Sequence, residues 1–158
     1  MITRGFTFIE LLVVIAITIL LSSLGLAAYN QFNNRQIVKR NGAAITDLLR
    51  LAQIKALTGE KPSTGACSSE TLWGYRVKVS GQQFILEAVC GTTGVDVGKT
   101  YTLTSDVTVS SGSEVMFKVL AQGAAPQTFC FTGYDLNYRV RTLGSGEVVE
   151  DGFVESCN

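Results

Sequence analysis

The feature that most constrains this chain of 158 residues is an apolar run near its start. Residues 6–28 read FTFIELLVVIAITILLSSLGLAA, and Glu10 is the one ionisable side chain among them. A helix rises about 1.5 Å per residue, so this run would span roughly 34 Å, enough to cross the hydrocarbon core of a bilayer. A soluble domain does not leave such a segment exposed. We therefore expect residues 6–28 to lie in a membrane.

The next segment, residues 29–61, is amphipathic rather than apolar. A set of apolar residues recurs in it at helical spacing, with polar residues between them: Ile45, Leu48, Leu49, Ala52 and Ala56. Gly59 and Pro62 then end the pattern. Together the two segments predict one nearly continuous helix from about Phe6 to about Leu57. A bend or local melting is expected at residues 22–25 and at Gly42.

Beyond Pro62 the pattern changes to period two, which is typical of β-strands. Short apolar runs alternate with turns rich in Gly, Ser and Asp, and a hairpin is expected at residues 143–146. Candidate strands fall at residues 73–79, 83–89, 101–103, 107–109, 115–119, 129–131, 136–140 and 148–149. Residues 94–100 are interpreted as a turn. The expected class is α+β, in which the amphipathic half of the helix packs on an antiparallel sheet domain of residues 62–158.

All four cysteines lie in this expected sheet domain: Cys67, Cys90, Cys130 and Cys157. An even number of cysteines in a small β domain tethered to a membrane indicates two disulfides and an oxidising compartment. Three pairings are possible. We favour Cys67 with Cys90 and Cys130 with Cys157, because each pair is local and brackets strands that should be neighbours. Four buried free thiols in a cytosolic domain remain the alternative.

Charge and composition disfavour several functional classes. The chain has 13 basic and 13 acidic residues, so it lacks the basic excess that is usual in nucleic-acid-binding proteins. It contains no histidine, which excludes an imidazole base or metal ligand. The cysteines lack the spacing of a zinc site. We therefore expect no enzymatic activity, no metal and no cofactor.

The first residues carry a more specific pattern. A short leader with one basic residue, Arg4, ends in Gly5; the aromatic Phe6 follows, and the carboxylate Glu10 lies four residues further on. This arrangement resembles the class III signal of type IV pilins and of the related pseudopilins of type II secretion. The expected long helix and disulfide-bearing β domain agree with the pilin fold. Residues 48–59 and the expected strands within residues 115–149 look more like the minor pseudopilins of the H type.

The resemblance implies a role for each residue of this pattern. Residues 1–5 would be a leader that a prepilin peptidase removes after Gly5, and Phe6 would be N-methylated. Glu10 would pair with the amino group of Phe6 in a neighbouring subunit during assembly. The implied partners are similar subunits in a helical filament, an inner-membrane assembly platform and membrane lipid. The implied location is the inner membrane, with the N-terminus cytoplasmic and the β domain outside it, and then an extracellular or periplasmic filament.

Other interpretations of the N-terminal segment stay open. Residues 11–21 could be the core of an ordinary signal peptide that is cleaved near residues 25–27. The segment could also be a plain signal anchor for an extracytoplasmic β domain. The topology of the chain also has conflicting signals. By the positive-inside rule, the β domain would lie in the cytosol, because three basic residues follow the apolar run: Arg35, Lys39 and Arg40. The cysteines indicate the opposite side of the membrane.

A second functional possibility is ligand binding through Arg139 and Arg141. These residues are two apart on an expected strand and therefore point to one face. Some minor pilins of DNA-uptake systems bind DNA through a basic surface, and the resemblance to those is loose. Acidic residues nearby weaken the field that DNA binding needs, so we do not expect DNA to be a partner.

Overall fold

The computed structural model describes residues 7–120 and 122–157, without the side chains of residues 22–27. The chain divides into two compact units, Met1–Arg35 and Gln36–Asn158. The boundary falls within helix α1, Phe8–Thr58. The α+β class expected from the sequence is confirmed, and the β residues form two four-stranded antiparallel sheets rather than one.

The first unit consists of the N-terminal part of α1. Every large apolar side chain between Phe8 and Leu21 that the structure describes is 49–82% exposed. No helix among the described residues is both long enough and apolar enough to cross a membrane. Phe6 and the side chains of residues 22–27, which belong to the expected span of residues 6–28, lie outside the described part.

The described residues of the second unit form the C-terminal part of α1, a 3-10 helix at Gly65–Ser68 and eight strands. Their bounds are β1 Leu72–Ser80, β2 Gln83–Cys90, β3 Thr93–Thr102, β4 Thr108–Ser111, β5 Glu114–Lys118, β6 Gln127–Gly133, β7 Leu136–Thr142 and β8 Val148–Val154. Sheet 1 has the order β3-β2-β1-β5, and sheet 2 has the order β4-β6-β7-β8. The interpretation of residues 94–100 as a turn is wrong, because they form most of β3. This strand lies at the edge of sheet 1, where glycine and polar residues replace the alternation that marks a half-buried strand.

The face of α1 that packs in the second unit is the one predicted from the spacing. Ile45, Leu49 and Ala52 are fully buried, and Leu48 and Ala56 nearly so. The two sheets meet across aromatic side chains: the ring of Phe84 on β2 lies 5.7 Å from that of Phe129 and 5.8 Å from that of Phe131, both on β6. Burial of these apolar side chains is the main stabilising contribution to the unit.

Gly42 does not interrupt the helix, contrary to the expected weak point there, since α1 runs through it. The presence of glycine at position 42 is instead explained by the packing of the helix against β7. A Cβ atom added to Gly42 would lie 2.3 Å from Cδ1 and 2.4 Å from Cε1 of Tyr138 on β7. The missing side chain therefore lets the tyrosine ring lie directly against the helix backbone.

Asn41 is a buried polar anchor that the sequence did not single out. Its side-chain amide donates to the carbonyl of Ile37 at 2.8 Å and to the hydroxyl of Thr104 at 3.0 Å. Its side-chain oxygen accepts from the Tyr101 hydroxyl and from the backbone N–H of Thr104, each at 3.2 Å. Because a buried amide must be hydrogen-bonded to be tolerated, this network ties α1 to the end of β3.

Candidate functional site

The start of α1 contains Glu10, the residue for which the sequence analysis expects a role in assembly. Thr7 precedes the helix and Glu10 lies in its first turn. Oε2 of Glu10 accepts hydrogen bonds from the backbone N–H of Thr7 at 2.9 Å and from its hydroxyl at 2.8 Å. The hydroxyl oxygen of Thr7 in turn accepts from the N–H of Glu10 at 3.4 Å. This is a capping box, the reciprocal arrangement that satisfies donors at a helix N-terminus.

The capping box gives Glu10 a role within its own chain that the sequence analysis missed. The signal for it was present, since Thr7 and Glu10 have the spacing of the motif. The second carboxylate oxygen, Oε1, makes no hydrogen bond to any residue that the structure describes. Gly5 and Phe6, the expected cleavage and methylation positions, lie outside the described residues.

The four cysteines form the two disulfides that were favoured from the sequence. Cys67 bonds to Cys90 with a Cα–Cα distance of 5.1 Å, and Cys130 bonds to Cys157 with a Cα–Cα distance of 5.8 Å. The first bond ties the 3-10 helix to the end of β2, and the second ties the C-terminal tail to β6. The alternative of four free thiols is therefore wrong.

Arg139 and Arg141 lie on one face of β7, as the alternation predicted, but they share a carboxylate that the sequence did not indicate. Nε of Arg139 donates to Oδ2 of Asp151 on β8 at 2.7 Å. Arg141 donates to the same carboxylate from Nε at 2.6 Å and from Nη2 at 2.8 Å. The hydrogen bond from Arg141, joined by that from Arg139, outweighs burial and lowers the pKa of Asp151. This cluster of three side chains has a net charge of +1.

A second charged cluster lies on the outer face of sheet 1. Glu87 on β2 has a side chain only 8% exposed, and it forms ion pairs with Lys78 and with Arg76, the latter at 2.7 Å. Burial raises the pKa of Glu87, but hydrogen bonds from Lys78 and Arg76 outweigh it and lower the pKa overall. A Cβ on Gly94 would lie 2.6 Å from Oε2 of Glu87, so this glycine makes room for the cluster.

Among the described residues, no group of three or more His, Cys, Asp or Glu side chains is placed to hold a metal ion. The carboxylates of both charged clusters are engaged by lysine or arginine. The arrangement as a whole suits structural and binding roles: an exposed apolar helix with one carboxylate at its start, and a disulfide-linked β unit with two ion-pair clusters.

Comparison with known proteins gives no relative for this chain: no family model, no curated protein and no solved structure matches it.

Proposed function

We propose that this chain is a structural subunit, a pilin or pseudopilin, of a filament of the type IV pilus or type II secretion class. The observation that carries the proposal is the first part of α1. Its apolar side chains from Phe8 to Leu21 are exposed, and its one carboxylate stands at the helix start. Such a surface is stable in lipid or against similar helices, and less so in water.

The proposal assigns two environments to this part of the helix. Before assembly, residues 6–28 lie in the inner membrane, with the N-terminus cytoplasmic and the β unit on the opposite side. The two disulfides support that side, since disulfides persist in oxidising compartments. After assembly, the same residues pack among the helices of neighbouring subunits. Head-to-tail contacts between subunits build a helical filament when they do not close into a ring.

Glu10 would set the register of that packing. Its Oε2 is engaged by Thr7, while Oε1 makes no hydrogen bond within the described residues and is available to a further donor. The donor we propose is the amino group of Phe6 in a neighbouring subunit, exposed once a prepilin peptidase has removed residues 1–5. In an apolar bundle a pair of opposite charges favours one axial alignment of the helices over others.

The proposed partners follow from this assignment. They are similar subunits in the filament, the prepilin peptidase that processes the N-terminus, the assembly platform of the inner membrane, and lipid. The chain itself would perform no catalysis.

Substitution of Glu10 tests the proposal against a simple membrane anchor. Glu10→Val should still insert into the membrane and still be cleaved after Gly5, because neither step uses the carboxylate. Filament yield should fall sharply, since removing one partner of a buried charge pair costs about 3–5 kcal/mol at each subunit addition. The measurements are processed protein in the membrane fraction and sheared filaments from the same cells.

Thr18→Val is the matched control, because it also replaces a polar side chain of the same helix with an apolar one. It should assemble at the wild-type yield. Normal filament yield from Glu10→Val would contradict the role of Glu10 and would favour a plain anchor.

A further inference from the structure

A groove of about 430 Å³ lies where β4, β6 and β7 of sheet 2 adjoin. Ser111 of β4, Gln127 and Thr128 of β6 and Arg141 of β7 contribute to its wall. Thr128 and Arg141 are directly opposite each other in the antiparallel register, so their side chains lie on the same face. The groove is thus built across three adjacent strands, and rigid strands hold its polar groups at fixed positions.

The charge of the groove comes from Arg141, whose orientation is fixed by Asp151. Two donors of its guanidinium bind that carboxylate, while the third nitrogen, Nη1, makes no hydrogen bond to a described residue. The side chain is 43% exposed. Because Arg139 also binds Asp151, the carboxylate does not neutralise Arg141 fully. The Nη1 side of the Arg141 guanidinium is therefore held in place and keeps part of its positive charge, so it is suited to bind one anionic group.

The uncharged part of the groove offers hydrogen-bonding groups. The hydroxyl of Thr128 and the side-chain amide of Gln127 have no hydrogen-bond partner among residues 7–120 and 122–157. The hydroxyl of Ser111 donates to the carbonyl of Thr128 at 3.4 Å and keeps its capacity to accept. A ligand that fits this wall carries several hydroxyl groups beside its one negative charge.

We propose that this groove binds an acidic saccharide, with the sugar carboxylate on Arg141 and the ring hydroxyls on Thr128, Gln127 and Ser111. A uronic acid unit has this combination of one carboxylate and several hydroxyls. Nucleic acid fits less well, because duplex binding rests on several phosphate contacts. Binding of a single strand needs, in addition, aromatic side chains that stack with the bases. The cluster has a net charge of only +1, and none of the described residues that line the groove is aromatic.

This proposal is independent of filament assembly, so it is tested on the full-length chain in detergent micelles. The immobilised protein is titrated with polygalacturonate, with neutral dextran and with double-stranded DNA. Polygalacturonate should bind saturably, and dextran and DNA should bind at least tenfold more weakly. The control for nonspecific charge attraction is Arg50→Gln, which removes an exposed arginine of α1.

Arg141→Gln should weaken polygalacturonate binding about tenfold or more, the usual effect of losing a hydrogen bond to a charged group. Arg50→Gln should leave binding unchanged. Thr128→Val, which keeps the ion pair of Arg141 with Asp151, should weaken binding about threefold or more. The proposal is overturned if polygalacturonate does not bind, if both arginine variants weaken binding equally, if Thr128→Val binds like wild type, or if DNA binds as well as the saccharide.

Discussion

The contact between Gly42 and Tyr138 makes a quantitative prediction, because two opposing effects can be compared. In a helix interior, Gly→Ala normally stabilises by about 1 kcal/mol, since alanine has the higher helix propensity. At position 42 the added Cβ would lie 2.3 Å from a ring carbon of Tyr138. Carbon atoms in contact are about 3.5–4.0 Å apart, so the ring or the helix must move by more than roughly 1 Å.

Little room is available for that movement. Tyr138 is only 2% exposed, its hydroxyl donates to Glu150, and its ring packs edge-on against Phe153. Overpacking of a core typically costs about 1–3 kcal/mol, and we expect a value near the upper end here. After subtraction of the helix-propensity gain, Gly42→Ala should destabilise the protein by about 2 kcal/mol. The melting temperature should fall by roughly 4–8 °C.

A double-mutant cycle separates the clash from other effects of the substitution. Tyr138→Val removes the ring while keeping a residue that favours β-strands. In that background Gly42→Ala should become stabilising, by up to about 1 kcal/mol. The assay is thermal unfolding of the four proteins, followed by circular dichroism under identical conditions. Stabilisation by Gly42→Ala in the wild-type background would refute the packing explanation.

Three further predictions concern the polar contacts and the disulfides of the β unit. Glu87→Gln should destabilise at neutral pH by about 1.5–3 kcal/mol. The pKa of Glu87 is lowered in the folded state, so its contribution to the free energy of unfolding is present above the ordinary pKa of 4.5 and is lost as the pH falls through the folded pKa. The difference in urea unfolding between Glu87→Gln and wild type should therefore shrink in acid. A difference that is independent of pH would contradict this. Asn41→Ala should lower the urea midpoint by an amount equivalent to about 1–3 kcal/mol, because it leaves the Tyr101 hydroxyl and the backbone N–H of Thr104 without an acceptor. An unchanged midpoint would show that this network does not stabilise the protein. The cysteines of native protein isolated without reductant should not react with a thiol label, and labelling would contradict both disulfides.

The helix and its buried face could be predicted because they depend on local spacing. Ile45, Leu49 and Ala52 recur every three or four residues, and this period places them on one side of any helix they form. The same holds for Arg139 and Arg141, whose separation of two residues on a strand fixes their common face. The disulfide pairing was also predictable, because each bond joins cysteines that are close in sequence.

Features that depend on non-local pairing could not be predicted. The division into two sheets requires β5 to pair with β1, although three strands separate them along the chain. The partner of Arg141 is Asp151, and their contact depends on a register shift between β7 and β8 that the sequence does not mark. A bend or local melting was expected at Gly42 because the sequence does not show that Tyr138, 96 positions further along the chain, packs against it.

The proposal that the chain is a processed filament subunit is tested most directly by the mass of its mature form. The chain would be produced in cells that also contain a prepilin peptidase and an assembly platform. Filaments would be sheared from these cells, and the intact mass of the released chain would be measured. The proposal predicts a chain that lacks residues 1–5, begins at Phe6, and carries one added methyl group and two disulfides. A chain that retains residues 1–5 in the membrane, or one that begins near Ala28, would contradict it, because the first is an anchor and the second a secreted domain.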